Sequence, residues 1–352
     1  MKNSNKLQYG FGLVEVMAGL LIGLITTVVI YQVLAVSENY KRYTVGGGET
    51  QQNGAIAMYL LERDLRQAGA GLDTTRFGDA IVAAESGRNI SFTLAPVVIT
   101  PGVGSLPDTL TILYGNNVLN GDIKRLAAPG MANATGPFGL TSVYGMRTND
   151  IFIVANAGSS GVMGQISAIN GVNVSHDNVS LNGTNFNQNP FPIAYPASAS
   201  IMNLGSFLPN AASPTSEPAL NQYSVAGNQL QITRRLITGT PVAIADNVFT
   251  IKAQYGVDTD GDGVIDVYQN TLPGGATFVN VRAIRVAVLS RLNVFEKTAV
   301  SPASIKLWPD AAAPLTTGPV INLTGNDRNY RYRIFTTTIP LRNVIWPGTV
   351  IP

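Results

Sequence analysis

The sequence has no cysteine and a single histidine, His176. The absence of cysteine excludes disulfides, thiolate metal sites and cysteine nucleophiles. One imidazole cannot build a histidine-rich metal site, and a Ser-His-Asp triad would have to use His176. Its neighbour Asp177 is a poor orienting partner because adjacent residues rarely face each other, so we interpret His176 as a loop residue. No Walker A, GxSxG or HExxH motif occurs either, and we therefore predict that the chain is not an enzyme.

Charge is also scarce, because Asp, Glu, Lys and Arg together make up 12% of the 352 residues, about half the usual share. The 23 basic and 21 acidic residues nearly cancel. No basic stripe interleaved with aromatic residues is present, so the sequence predicts no nucleic-acid partner. Apolar residues make up 45%, which is enough for a sizeable core.

One long apolar run stands near the N-terminus, between Val16 and Val36, and contains no charged residue. About 20 apolar residues suffice to cross the hydrocarbon core of a membrane as a helix. Lys2 and Lys6 precede the run, so the positive-inside rule places the N-terminus in the cytoplasm and exports the rest. The run is longer than that of a cleaved secretory signal and no A-x-A-like site follows it.

The residues YGFGLVEVMAGLLIGL resemble the type III signal of type IV prepilins. Gly10, Phe11 and Glu15 match the glycine, the phenylalanine and the glutamate of that signal. The resemblance implies that residues 1–10 are a leader, that a prepilin peptidase cuts between Gly10 and Phe11, and that the new amino group is methylated. It also implies that residues 11–36 form the transmembrane and filament-core helix.

Glu15 is the physical reason to prefer a pilin over a plain signal anchor. A carboxylate at the edge of an apolar helix costs a few kcal/mol unless it finds a partner. In an assembled filament, the amine of Phe11 from a neighbouring subunit could be that partner. We therefore expect Glu15 to act in assembly.

Residues 37–72 become amphipathic, with Met58, Leu61, Leu65 and Ala68 spaced for one apolar helical face. We expect this face to pack on a sheet and Glu62 and Arg66 to form an i,i+4 pair. Gly46, Gly47 and Gly48 interrupt the pattern. Three interior glycines cost about 3 kcal/mol relative to alanine, so we predict a break or a flexible joint there.

Residues 73–352 read as β-rich, because short β-branched runs alternate with turn residues. Asn170-Gly171 and Gly227-Asn228 each lie between two such runs and predict hairpins. Residues 181–220 are rich in Asn, Pro and Ser, and we interpret them as a long loop. The sequence predicts an α+β fold, with a long N-terminal hydrophobic and amphipathic helix packed on a large antiparallel β-rich globular domain.

Four segments of the chain resemble PilW-type minor pilins, and they are YLLERDLRQAGAGL, QYGVDTDGDGVID, VRAIRVAVLSR and YRYRIFTTTIPLRN. The resemblance covers the N-terminal 72 residues and residues 245–343. Residues 73–220 resemble nothing specific. Many relatives contain cysteines, which this chain lacks.

The segment DTDGDGVID has the spacing of a calcium-binding loop. Asp258, Asp260, Asp262 and Asp266 occupy positions 1, 3, 5 and 9, and the Val264 carbonyl occupies position 7. Gly263 stands at position 6, where the chain must turn sharply. Gln269 replaces the bidentate glutamate of position 12, which should weaken binding. Because the flanks read as strands, we predict a Ca²⁺ loop on a β-hairpin over residues 258–269. The alternative is a solvated turn without an ion.

The resemblance implies a minor pilin that primes assembly of a type IV pilus or sits at its tip, and supports adhesion or twitching motility. Its partners would be other minor pilins and the major pilin through the N-terminal helix, the prepilin peptidase, the inner membrane and a tip adhesin. The chain would cross the inner membrane once, with a periplasmic C-terminal domain, and then enter the extracellular pilus. The alternatives are a minor pseudopilin of a type II secretion system and, less favoured, a membrane-tethered periplasmic enzyme.

Overall fold

The computed structural model describes residues 12–85, 87–117, 123–181, 183–187, 190–207, 217–271, 278–308 and 318–345. Gly10 and Phe11 lie outside these ranges. The chain divides into two compact units, Met1–Glu49 and Thr50–Pro352.

Helix α1 spans Leu13–Gln67. Residues 16–36 of this helix contain no charged side chain, and an 18-residue window of the helix reaches a mean hydropathy of 2.4 with none of it buried. This helix is long and apolar enough to cross a membrane, which fits a single anchor.

The backbone stays helical through Gly46, Gly47 and Gly48, so the predicted break in the helix is wrong. Glycine lacks a side chain but keeps the N–H and C=O groups that form helical hydrogen bonds. Glycine therefore lowers the helix propensity without removing a helical hydrogen bond, and the helix continues through these three residues. Whether the glycines form a flexible joint stays a prediction.

In the second unit, α1 buries the predicted apolar face. Leu61, Leu65 and Ala68 are completely buried and pack against sheet residues, with Met58 partly buried beside them. The exposed side carries the predicted ion pair, in which Nε of Arg66 donates to Oε1 of Glu62 at 3.1 Å. The helix ends before Gly69, whose φ of 84° is easy only for glycine.

The strands of the described residues form five sheets, which we name by their number of strands. The six-stranded sheet contains β1 (Ala80–Glu85), β2 (Arg88–Thr93), β5 (Lys124–Arg125), β7 (Asp150–Asn156), β8 (Ser159–Gln165) and β11 (Ser200–Ser206), in the order β2-β1-β8-β7-β11-β5. The three-stranded sheet contains β6 (Phe138–Gly139), β9 (Ala168–Asn170) and β10 (Asn173–Ser175), in the order β6-β10-β9.

The other three sheets contain the remaining strands. The five-stranded sheet contains β3 (Val97–Thr100), β4 (Thr109–Tyr114), β12 (Ala219–Ala226), β13 (Gln229–Arg234) and β14 (Val242–Ala245), in the order β14-β13-β12-β4-β3. The four-stranded sheet contains β15 (Val248–Val257), β16 (Val267–Gln269), β17 (Val281–Arg291) and β20 (Tyr332–Pro340), in the order β16-β15-β17-β20. β18 (Ser304–Lys306) pairs with β19 (Val320–Asn322), and α2 spans Arg342–Ile345. Apart from β1 with β8, all these pairings are antiparallel, which confirms the α+β prediction.

Both predicted hairpins form, but one turn differs from the prediction. Gly227 and Asn228 both have positive φ, as a type I′ turn requires. In the other hairpin, Asn170 pairs with Asn173, so the central residues are Gly171 and Val172. Only Gly171 has positive φ, which is the pattern of a type II′ turn with glycine first.

The interpretation of residues 181–220 as one long loop is wrong. They contain β11, which pairs with β7 and β5 inside the six-stranded sheet. Six of the seven residues of β11 are buried. A strand covered on both faces shows no alternation of polar and apolar residues, and periodicity therefore cannot reveal it.

A buried ion pair joins the five-stranded and four-stranded sheets. Nζ of Lys252 on β15 lies 2.8 Å from Oδ1 of Asp108, and the two side chains are 4% and 2% exposed. The backbone N–H groups of Gly102 and Ala253 also donate to Asp108. Asp108 therefore has three donors, which is the compensation a buried carboxylate needs.

Helix α1 also packs along β20. A Cβ at Gly54 would overlap the Phe335 ring, so only glycine fits there without movement. At one end of this contact Arg333 donates to Gln51. At the other end, Nδ2 of Asn343 donates to the carbonyl of Gln67 at 3.1 Å. The helix therefore lies along the sheet and runs in the same direction as β20.

Candidate functional site

The acidic segment connects β15 and β16, as the sequence predicts for a loop on a hairpin. Val257 pairs with Val267 and Tyr255 with Gln269, so residues 258–266 form the connection. The base is closed by the N–H of Asp266, which donates to the carbonyl of Val257 at 2.9 Å. β15 also pairs with the long strand β17, which fixes where the loop starts.

Two glycines let the loop turn back on Asp258. Gly261 and Gly263 have φ values of 85° and 90°, a region that L side chains rarely adopt. The N–H of Gly261 donates to Oδ1 of Asp258 at 2.6 Å, and the N–H of Gly263 donates to Oδ2 at 2.9 Å. The sharp turn predicted at Gly263 is therefore present, and the loop wraps around one carboxylate.

Three of the four predicted aspartates come together. One carboxylate oxygen each of Asp258, Asp260 and Asp262 lies within 4.8 Å of the other two. Asp258 is buried, whereas Asp260 and Asp262 are exposed. Their other contacts are local, since Asp260 accepts from the N–H of Asp262 at 3.1 Å and Asp262 from that of Val264 at 2.7 Å.

Asp266 holds the loop rather than joining this group, and Gln269 bonds to a residue beyond the loop. Oδ2 of Asp266 accepts from the backbone N–H and the hydroxyl of Thr259, both at 2.7 Å. These hydrogen bonds lower the pKa of Asp266 below its ordinary value. The Gln269 amide donates to the carbonyl of Thr271 at 2.7 Å. Val264 is 61% exposed, and its role as a carbonyl ligand stays a prediction.

A cationic side chain that the sequence does not reveal, Arg282, contacts Asp258 in the aspartate cluster. Nε and Nη2 of Arg282 lie 2.9 and 2.8 Å from Oδ2 of Asp258. Burial alone would raise the pKa of Asp258, but the hydrogen bonds from Arg282 and the loop glycines, together with the Arg282 charge, outweigh burial and lower it. Arg282 lies on β17, 24 residues away along the chain, so only the strand register brings the pair together.

Glu15 lies in the first turn of α1. Its Oε2 accepts from the N–H of Gly12 at 3.1 Å, and Gly12 precedes the first helical residue. A glutamate at the third helical position that reaches back to the cap residue is one half of a capping box. Glu15 therefore stabilises the helix start within its own chain. Gly10 and Phe11, the predicted processing residues, lie outside the described residues.

The buried carboxylate of Asp64, which the sequence does not predict, fixes α1 to the five-stranded sheet. Asp64 is completely buried, and its Oδ2 accepts from Nδ2 of Asn221 at 2.7 Å and from the hydroxyl of Tyr223 at 2.6 Å. Nε of Arg63 donates to Oδ1 at 2.9 Å. Burial and the Asp64 charge raise the pKa of Tyr223, so its hydroxyl remains a donor. The network is satisfied and positions the helix.

The comparisons with known proteins fit this arrangement. Residues 210–343 match the model of the family described as type IV pilus-assembly protein W, or PilW. The match runs from just before β12 to the start of α2 and includes the acidic loop and the whole four-stranded sheet. No curated protein and no solved structure matches the chain. The match supports involvement in type IV pilus assembly and an assembly role rather than a catalytic one. The resemblance found in the sequence is thereby confirmed, and over residues 210–343, which contain the acidic loop, the chain is similar to PilW-type pilus-assembly proteins.

Proposed function

We propose that this chain is a minor pilin that primes assembly of a type IV pilus or sits at its tip. The observation that carries the proposal is the PilW match in a chain that also has an exposed apolar N-terminal helix. A head of about 280 residues, counted from residue 73 to 352, would crowd if it were repeated along a fibre. A low-copy position suits it better, and adhesion or twitching motility would follow from that position.

Assembly would begin with cleavage between Gly10 and Phe11 by the prepilin peptidase and methylation of the new amine. The apolar helix would then leave the inner membrane and pack among those of the major pilin and other minor pilins. In the intact chain, Glu15 accepts from Gly12. In the filament it would exchange this local bond for the charged amine of a neighbouring Phe11, a stronger charge-assisted pair.

A pseudopilin of a type II secretion system is the second candidate, because it shares the same N-terminal signal. The family description favours the pilus. A tethered enzyme that uses a Ser-His-Asp triad is disfavoured by the position of His176. Its ring is buried, stacks on Phe191 at 3.9 Å, and makes its Nε2 contact with the carbonyl of Gly136 at 3.0 Å.

The test is deletion of the gene and recovery of sheared surface fibres, with type II secretion measured in parallel. We expect the deletion strain to have far fewer pili and normal secretion. In a strain that expresses a tagged chain, we expect that chain in the sheared fraction, with methylated Phe11 as its N-terminus. Normal pili together with lost secretion would favour the pseudopilin. Immunogold labelling would distinguish a tip position, with gold at the fibre ends, from a shaft position, with gold along the fibre. A tip adhesin would be sought at the labelled ends.

We also propose that the acidic loop binds Ca²⁺. Hard cations prefer carboxylate and carbonyl oxygens, and Asp258, Asp260 and Asp262 already face one another. Arg282 partly neutralises Asp258, so the loop keeps its fold without an ion and an ion would add to it. Because Gln269 is turned to Thr271 and Asp266 to Thr259, we expect weak binding.

Thermal unfolding of the full chain in detergent with calcium, magnesium or chelator tests the calcium proposal. Calcium at 100 times its dissociation constant should stabilise the fold by about 2.7 kcal/mol. Magnesium should do less because it demands a tighter shell. Asp260→Asn should remove the response, whereas Asp246→Asn, at an exposed aspartate outside the loop, should keep it. Identical unfolding curves with calcium, magnesium and chelator would contradict the calcium proposal and indicate a solvated turn that binds no ion.

A further inference from the structure

The outermost strand of the four-stranded sheet, β20, has an open edge. It pairs with β17 over nine consecutive residues without a bulge. The N–H of Leu341 and the carbonyl of Arg331 bond to the neighbouring chain segments in the same register. Alternation along an antiparallel strand therefore directs the backbone N–H and C=O groups of Ile334, Thr336 and Thr338 away from β17, toward the open edge. Among the residues that the structure describes, these groups make no backbone hydrogen bond.

This edge lacks the features that usually prevent pairing. Protective edges are short, bulged, or carry lysine or interior proline. β20 has nine residues, whereas the other edge strands of the described sheets have two to six. Its proline is the last residue, and its one charge, Arg333, is bonded to Gln51. Ile334, Thr336 and Thr338 are exposed.

A second copy of the chain does not suit this edge. Two β20 strands that pair antiparallel in one sheet are related by a two-fold axis normal to the sheet. Residues 54–67 of α1 lie along the sheet, so that axis would set the two helices antiparallel. The chains leading to the two membrane segments would then leave at opposite ends, which does not suit two proteins anchored in one membrane.

We propose that the outer edge of β20 binds an extended strand of a different subunit in the same pilus. The strand would be about five to nine residues long, matching the edge at about 3.3 Å per residue. Its main chain would satisfy the outward N–H and C=O groups. Its side chains beside Ile334, Thr336 and Thr338 would be uncharged and β-branched, because such cross-strand pairs stabilise sheets. The identity of the neighbour as a pilus subunit rests on the proposed function.

The absence of cysteine gives a direct test, because one introduced thiol is the sole thiol of the chain. Thr336→Cys and the exposed control Thr240→Cys are made in the full-length protein, and each thiol is titrated with a maleimide-polyethylene glycol reagent. We expect both thiols to react in the purified chain. In sheared pili we expect the thiol from Thr336→Cys to be protected and that from Thr240→Cys to stay reactive.

A backbone variant tests the hydrogen bonds themselves. Thr336→Pro removes an outward N–H that β17 does not use, and Thr336→Val keeps it with a similar shape. We expect about tenfold less Thr336→Pro than Thr336→Val chain in sheared pili, equivalent to about 1.4 kcal/mol, at equal melting temperature. If the proline variant unfolds, the thiol comparison alone decides.

Three results would overturn the inference. Protection of the thiol from Thr336→Cys in the purified monomer would mean that the chain covers its own edge. A purified dimer that Thr336→Pro dissociates would mean that a second copy is the partner. Equal reactivity of both thiols in pili would mean that nothing binds there. Absence of the wild-type chain from sheared pili would instead refute the proposed function.

Discussion

The buried pair between Asp108 and Lys252 offers the sharpest test of how the domain is held together. Both side chains are almost fully buried and lie 2.8 Å apart. Removing one partner of such a pair leaves an uncompensated charge and typically costs about 3–5 kcal/mol. Asp108→Ala removes the carboxylate partner of Lys252, which keeps only the Gly102 carbonyl, and also removes the acceptor of the Gly102 and Ala253 N–H groups. We therefore place its cost at the upper end, ~5 kcal/mol.

Lys252→Met should cost less, ~3 kcal/mol, because the Asp108 carboxylate keeps its two backbone donors. The double variant Asp108→Asn with Lys252→Met removes both charges and keeps the shape. It should cost no more than the Lys252→Met single variant, since replacing a buried pair by neutral groups is often tolerated.

Urea unfolding of the full chain in detergent, followed by tryptophan fluorescence and circular dichroism, measures these costs. With a slope of about 3 kcal/mol per molar urea, a loss of 3–5 kcal/mol lowers the midpoint by about 1–1.7 M. Asp246→Asn, at an exposed position, is the matched control and should leave the midpoint unchanged. A cost below about 1 kcal/mol for Asp108→Ala, typical of a solvated pair, or a double variant that costs clearly more than Lys252→Met alone, would refute the reasoning.

Three further predictions concern other charged or titratable groups. Arg282→Gln should destabilise the domain in the absence of calcium, because Asp258 loses its cationic partner. In thermal unfolding, the same variant should gain more stability from calcium than the wild type does. An unchanged calcium response would show that Arg282 and the ion do not act on the same carboxylate. Burial lowers the pKa of His176 below its ordinary 6.5, so the unfolded chain protonates first as pH falls. The neighbouring Asp177 favours the charged form of the ring but does not outweigh burial. The contribution of the neutral ring to the free energy of unfolding should therefore be complete above about pH 6.5 and decline below it. His176→Phe should flatten that decline between pH 7 and 5 in urea titrations, and equal slopes would argue against it. Glu15→Ala should leave membrane insertion intact but reduce recovery in sheared pili, whereas normal recovery would limit Glu15 to capping its own helix.

The sequence predicts those elements of the fold that depend on local pattern. The apolar face with Leu61 and Leu65 follows from helical spacing, and the turn at Gly227-Asn228 follows from the need for positive φ. The position of the acidic loop on a hairpin is also predicted correctly, because its flanks are β-branched and its glycines permit the turn.

The features that the sequence does not predict depend on contacts distant along the chain. β11 is covered on both faces, so it shows no alternation. The Arg282 contact with Asp258 follows from the register of β15 with β17. Asp64 looks like one more charge in the segment LLERDLR, and only the position of Tyr223 on the sheet shows that it is buried. Composition and periodicity contain none of this long-range information.

The alignment of α1 with β20 has a mechanical consequence. Arg333 bonds to Gln51, the Phe335 ring fills the notch at Gly54, and Asn343 bonds to Gln67. Tension on the helix axis, such as a retracting fibre would apply, would load these contacts together in shear. Contacts loaded together must break at once, whereas contacts pulled at right angles separate successively. The domain would therefore resist a pull along its helix far better than a pull across it.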